Sequence, residues 1–313
     1  MASSKLIRDY GIRPSSVYYY SSEFDALKKF LEKKATEFIS GKGHQYVAVQ
    51  NFTKNDLADL EKRDWRGELP KFKLIFYEQD EVLILKLAAT PHETVAGNWT
   101  PFFVMEQLAS NIRPDAFIHQ ASKRCRKFNG IPMEPDCSLK PATRTSVFDS
   151  PSFVVEVGDL EAHDQLQRDA RRWLEEMMGK TKIVLLIYIS MNRRTLVFQR
   201  WQHSPDPLKK HTRSGHPCYC AQKMQQVTYD HVRNEVTGGP LILPTDRLFD
   251  TVPSMHLGRS QSARGDCGFL AAGCFREYND SAGNGKSDPL GDVNFEAGIA
   301  KTMEWKVRLR NDT

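Results

Sequence analysis

The chain has 313 residues, a net charge of +5, and 40% hydrophobic against 27% charged residues. That length allows one large domain or two modest ones, each with a full core, and the composition is that of a soluble globular protein. The mild basicity permits a polyanionic partner such as nucleic acid without demanding one.

The first twenty-odd residues are polar and read as irregular. Residues 23–40, EFDALKKFLEKKATEFIS, place Phe24, Leu27, Phe30, Leu31 and Phe38 on one helical stripe, stopped by Gly41 and Gly43. HQYVAVQNF predicts a strand and DLADLEKRD a short surface helix. Residues 71–88, KFKLIFYEQDEVLILKLA, are two β-rich runs split by a polar four-residue step, a hairpin signal. A helix is predicted from His92 to about Ile112, with Phe102, Phe103, Met105, Leu108 and Ile112 as its apolar side.

AFIHQ and the segment around Pro135-Asp136 predict further strands, followed by a strand from Phe153 to Val157. A helix over 165–178 carries Leu166, Ala170, Trp173, Leu174 and Met177 on one face and closes at Gly179. KIVLLIYIS and TLVFQRWQ are the next two strands. After a loop at 203–217, short strands are predicted at MQQVTYD and PLILP. From about Thr251 the chain turns to Ser, Gly, Asn and Asp and reads as largely disordered. This order predicts an α/β or α+β protein with a mixed sheet flanked by helices. The divisions are an N-terminal extension (1–70), a core domain (71–250) and a tail (251–313).

No apolar run approaches the ~20 residues of a membrane helix, and MASSKLIRDY lacks the apolar stretch of a secretory signal. The six cysteines show no framework spacing. The expectation is an intracellular protein, cytoplasmic or nuclear, with reduced thiols and no membrane partner.

Three carboxylates stand at special places. Glu156 sits inside the apolar run Phe153-Val154-Val155-Glu156-Val157, where a lone buried charge is costly unless paired, hydrogen-bonded or metal-bound. Asp136 follows Pro135 where an extended segment begins, and Glu93 opens the long helix. Magnesium takes one or two carboxylates plus waters and substrate phosphate, so Asp136 and Glu156 from adjacent strands would suit it. Plainer readings compete: an edge residue facing solvent for Glu156, a turn for Asp136, a helix cap for Glu93.

Pro91-His92-Glu93, Glu134-Pro135-Asp136, Pro151-Ser152-Phe153-Val154-Val155-Glu156-Val157 and Asp169-Ala170-Arg171-Arg172-Trp173-Leu174, in this order, resemble the PD-(D/E)xK nuclease superfamily. The likeness is to its restriction-endonuclease-like branch and to fungal proteins of unknown function sharing that core, and it spans roughly Phe72 to Asp250. The resemblance implies a restriction-endonuclease-like core, with Glu93, Asp136 and Glu156 as ligands of Mg2+ (or Mn2+). It also implies a lysine two residues after the strand glutamate, or four before the helix aromatic. Here those places hold Gly158 and Asp169. Arg168, Arg171 and Arg172 on the helix are the candidates to stand in for the lysine, against the reading of a solvated helix face. Arginine is not interchangeable with lysine.

The implied function is a Mg2+-dependent phosphodiester hydrolase acting on nucleic acid, DNA first, with a homodimer left open because many members pair to cut two strands. The alternative is a catalytically inactive module of the same fold that binds nucleic acid or a protein. Separately, His211, His216, Cys218 and Cys220 could in principle take zinc, but Cys-x-Cys is tighter than the usual ligand spacing and a surface loop is the simpler reading.

Overall fold

The computed structural model describes residues 2–62, 69–88, 90–110, 112–120, 125, 133–159, 163–177, 179–190, 192–205, 219–251 and 307–310. Its helices are α1 (Ala2–Asp9), α2 (Phe24–Ile39), α3 (Lys54–Lys62), α4 (Thr90–Ala109), α5 (His163–Glu176) and α6 (Thr245–Leu248). The strands are β1 (Val17–Tyr19), β2 (Tyr46–Gln50), β3 (Phe72–Tyr77), β4 (Val82–Leu87), β5 (Phe117–His119), β6 (Cys137–Pro141) and β7 (Phe153–Asp159). They continue with β8 (Ile183–Ser190), β9 (Thr195–Pro205), β10 (Tyr219–Asp230), β11 (Glu235–Thr237), β12 (Leu241–Pro244) and β13 (Val307–Arg310).

Two sheets dominate. The larger is mixed, seven-stranded, in the order β11-β10-β9-β8-β7-β6-β5, and its β7–β8 pair is parallel while its other neighbours are antiparallel. The smaller has the order β1-β2-β4-β3. The helix–strands–helix–strand–strand succession expected from His92 onward is present as α4, β5, β6, β7, α5, β8 and β9. The fold is α+β, a mixed sheet flanked by helices, as the order of elements in the sequence predicts.

Alternation along the strands sorts side chains into layers. Val155 and Val157 of β7, with Ile183, Leu185 and Ile187 of β8, pack against Val95, Trp99 and Phe103 of α4. Val154, Val184 and Leu186 face the other way, onto Leu166, Ala170 and Trp173 of α5 and onto Tyr46, Ala48, Ile75 and Ile84 of the four-stranded sheet. The far side of that smaller sheet buries Val47, Val49, Leu74, Phe76, Leu83 and Leu85 beneath Leu27, Leu31 and Phe38 of α2. The order of layers is therefore α4, seven-stranded sheet, α5 beside the inner face of the four-stranded sheet, then α2.

Several particulars differ from the sequence reading. The N-terminal residues are ordered: Ile7, Tyr10 and Ile12, in and after α1, are buried against the α5 layer, which their short apolar spacing did not advertise. Met105 and Leu108 of α4 are exposed, and Val95 and Trp99 do the packing instead. The small sheet runs from Val17 to Leu87 and so crosses the division drawn at residue 70. Within 252–313 the described residues are those of β13, parallel to β12. No helix among the described residues is long and apolar enough to cross a membrane.

A lysine-bridged carboxylate site

The site lies where the two sheets face each other. In β7, Val155 and Val157 point to α4, so Glu156 between them points to the α5 side. Cys137 pairs with Val155 across the β6–β7 ladder, and continuing that register sets Asp136 opposite Glu156. Two backbone bonds pin Asp136 there: its N–H donates to the Val155 carbonyl at 3.1 Å, and its Oδ2 accepts the Val157 N–H at 2.6 Å.

The smaller sheet contributes a complementary row. Lys86 on β4 is the cross-strand partner of Tyr46 on β2 and of Lys73 on β3. Ile84 and Val82 alternate with it onto the inner face, so all three polar side chains project toward the carboxylates. Lys86 Nζ donates at 2.9 Å to Asp136 Oδ2 and at 2.9 Å to Glu156 Oε2. Lys73 ion-pairs with the second oxygen of Asp136 and donates to the Pro135 carbonyl at 2.5 Å. Tyr46 donates to Oδ2 of a third carboxylate, Asp169 on α5, at 3.1 Å. One turn along α5, Trp173 Nε1 donates to Glu156 Oε1 at 2.9 Å. The side chains of Lys86, Asp136 and Glu156 are 8%, 11% and 4% exposed, so these are buried ion pairs in which every partner matters.

The electrostatics follow from sharing. Burial opposes charge on every member. The Lys73 and Lys86 ammoniums hold Asp136 well below the usual carboxylate range. Glu156 shares Lys86 with Asp136, and burial pushes it up to about 7. Lys86 is held above the ordinary lysine range by Asp136 and Glu156, against burial. His92, the neighbour of Glu93, is buried against Phe38, stacked at 5.6 Å between ring centroids, and burial pushes it down to about 4.

A cleft of about 330 Å3 opens beside the ion cluster, lined among others by Gln45, Lys73, Lys86, His92, Thr100 and Asp136. Glu93 is on this cleft but exposed, and it pairs with Lys71 at 2.7 Å. The structure thus brings Asp136 and Glu156 together through Lys86 and leaves Glu93 on the rim. Among the described residues no group of three or more His, Cys, Asp or Glu side chains is close enough to hold a metal ion. The donors that do converge are hard carboxylate oxygens aimed at one cation, the type magnesium takes in ones and twos. The Lys86 ammonium stands at that point.

The three arginines expected beside these carboxylates lie elsewhere. Arg171 sits over the Trp201 ring, 5.9 Å from its centroid. Arg172 sits over Tyr77 and contacts the Tyr10 hydroxyl, with Glu176 at 3.4 Å and Asp169 at 3.8 Å. Arg168 buries Nη1 without a hydrogen-bond partner. Arg171 thus turns toward β9, and Arg172 toward the N-terminal segment and β3. Among the described residues the cations touching Asp136 and Glu156 are Lys73 and Lys86. The motif singles out neither, although VLILKL poses the same question as FVVEV: a lone charge in a buried strand.

Gly158 also gains a reason. A Cβ there would lie 2.2 Å from Leu166 Cδ1 of α5 and 3.1 Å from Gln45 Oε1. The place of the expected lysine is filled by packing. Of the candidate zinc set, His211, His216 and Cys218 lie outside the described residues, and Cys220 is on β10, its Sγ accepting from Gln222 at 3.2 Å.

No family model and no curated protein matches the chain. Among solved structures, the chain is similar to a "putative nuclease belonging to DUF820" from Anabaena variabilis, at 13% identity and a TM-score of 0.31, over 41% of this chain and 71% of that one.

Proposed function

We propose that the protein is a phosphodiester hydrolase of nucleic acid, DNA first, in which Lys86 takes the place of the lysine absent after Glu156. The observation that carries this reading is the bridge itself: an ammonium 2.9 Å from both Asp136 and Glu156, delivered from another sheet and lining an open cleft. Asp136 and Glu156 would hold Mg2+ or Mn2+ only where Lys86 yields the point it occupies between them, and the ion when bound would polarise the phosphodiester and the attacking water. Lys86 supplies a fixed positive charge where the phosphorus centre gains negative charge, in a water-poor site where such charges act most strongly. Lys73 adds a second positive charge at the cleft and keeps Asp136 ionised. Glu93, on the rim and paired with Lys71, would serve as an outer partner of a hydrated cation.

Supercoiled plasmid and end-labelled oligonucleotides, incubated with Mg2+ or Mn2+, test this. Wild-type protein cuts them, and Asp136→Asn, Glu156→Gln and Lys86→Met each lower the rate by roughly a hundredfold or more, the scale seen when one transition-state partner is removed. Intact DNA under the wild-type protein sinks the hydrolase reading. A second reading is then favoured by the mutual neutralisation of Lys73, Lys86, Asp136 and Glu156: a module that binds nucleic acid without cutting it. Its signature is salt-dependent retention of DNA with no products.

A further inference from the structure

Helix α5 touches both halves of the ion cluster. Asp169 and Trp173 lie four residues apart on its buried face, so they project to the same side one turn apart. Trp173 grips Glu156, on the seven-stranded sheet, and Asp169 grips Tyr46, on the four-stranded sheet. Tyr46 is the direct cross-strand partner of Lys86. Thus one helix holds, through two hydrogen bonds, Glu156 on β7 and Tyr46 on β2, the strand paired directly with the one that carries Lys86.

Asp169 is otherwise poorly served. It is buried, its Oδ1 has no hydrogen-bond partner, and its nearest cation is Arg172 at 3.8 Å. A buried carboxylate held so loosely is costly. Packing alone gives no reason to prefer it to an apolar residue of similar size.

We propose that Asp169 and Tyr46 are positioning residues, which set the reach of Lys86 across the gap to Glu156 and Asp136. The inference deepens the hydrolase reading, in which Lys86 touches the substrate, but the positioning itself needs no catalysis. Asp169 acts by accepting the Tyr46 hydroxyl, so that β2, and with it β4, keeps its distance and twist relative to α5. Without that bond the sheets are still joined by Lys73 and Lys86, but β2 meets α5 through apolar contacts, which are non-directional.

The test is a double-mutant cycle read by urea unfolding. Lys86→Met, Glu156→Gln and the pair are made in the wild-type, Tyr46→Phe, Asp169→Asn and Asp169→Ala backgrounds. In wild type the two midpoint shifts are non-additive, because the residues touch. In Tyr46→Phe and Asp169→Ala that non-additivity is lost. In Asp169→Asn it returns, since the amide oxygen still accepts from Tyr46. Tyr46→Phe removes one oxygen, so the test stands even where Asp169→Ala does not fold. A merely structural role would move every midpoint and leave the non-additivity equal in all backgrounds; that result overturns the inference. Intact DNA in the cleavage assay would overturn the hydrolase reading and leave this outcome untouched. Where cleavage occurs, Tyr46→Phe lowers kcat and leaves KM unchanged, and a fall through KM alone counts against positioning.

Discussion

Lys86 and Glu156 meet at 2.9 Å across 70 residues of chain and from two different sheets. Losing one partner leaves the other charged and buried, which costs about 3–5 kcal/mol, whereas replacing both with apolar residues of similar volume is often near neutral. Lys86→Met is therefore expected to destabilise the protein by about that much in urea unfolding, and Lys86→Met/Glu156→Met to recover most of the loss. The recovery is incomplete because Asp136 keeps only Lys73. A single variant within the error of wild type would mean that Glu156 is neutral in the folded protein.

Two groups of the site push stability in opposite directions with pH. Glu156 is raised from 4.5 to about 7, so between those values the folded state binds the extra proton and stability falls as pH rises. His92 is lowered from 6.5 to about 4, so between those values the unfolded state binds the extra proton and stability rises with pH. In wild type these two trends oppose each other where their windows overlap, from pH 4.5 to 6.5. Glu156→Gln should expose the rise, and His92→Gln the fall. Urea midpoints across that range decide it, and identical profiles for both variants would contradict the assignment.

The central strands and helices were legible because they are long and strongly periodic. The α5 stripe of Leu166, Ala170, Trp173 and Leu174 and the run of β8 are buried as the pattern requires. Asp136 and Glu156 were legible for a local reason, a charge or turn residue in an apolar context. The cations were not, because what joins them to the carboxylates is the packing of one sheet on another, for which the sequence has no short-range signal. The vacant lysine positions of the motif point to the arginines closest in sequence, whereas the lysines closest in space lie on the hairpin before α4. In the sequence Asp169 marks only a place without a lysine, and its bond to Tyr46 depends on tertiary packing between α5 and the smaller sheet.

The N-terminal segment is part of the fold rather than an appendage to it. Tyr46, Ala48, Ile75 and Ile84 share one apolar cluster with Val154, Leu186 and Trp173, and Lys73 and Lys86 neutralise Asp136 and Glu156. A fragment beginning at His92 would expose that cluster and leave two carboxylates without counter-ions. It is expected to lack a cooperative unfolding transition and to bind the apolar dye ANS, as loosely packed states do. Calorimetry and dye fluorescence measure both. A cooperatively folding fragment would show that the larger sheet closes its core without the smaller one.

Gly158 offers the sharpest contrast between a sequence motif and a structural site. Restoring the lysine by Gly158→Lys puts a side chain where Cβ alone would come 2.2 Å from Leu166 Cδ1. Even Gly158→Ala should cost about 1–3 kcal/mol through overpacking against a helix that cannot withdraw without disturbing Trp173 and Glu156. Leu166→Ala in the same chain opens room and should recover part of the loss, so the two changes are non-additive. In the Lys86→Met background Gly158→Lys is expected to restore neither stability nor cleavage, because the site is arranged around a lysine that enters from β4. Unfolding curves on wild type, Gly158→Ala, Leu166→Ala and their pair check the first half, and unfolding curves with the plasmid assay on Gly158→Lys, Lys86→Met and their pair check the second. Rescue by Gly158→Lys would show that Leu166 yields and that a cation from β7 serves the carboxylates as well as one from the smaller sheet.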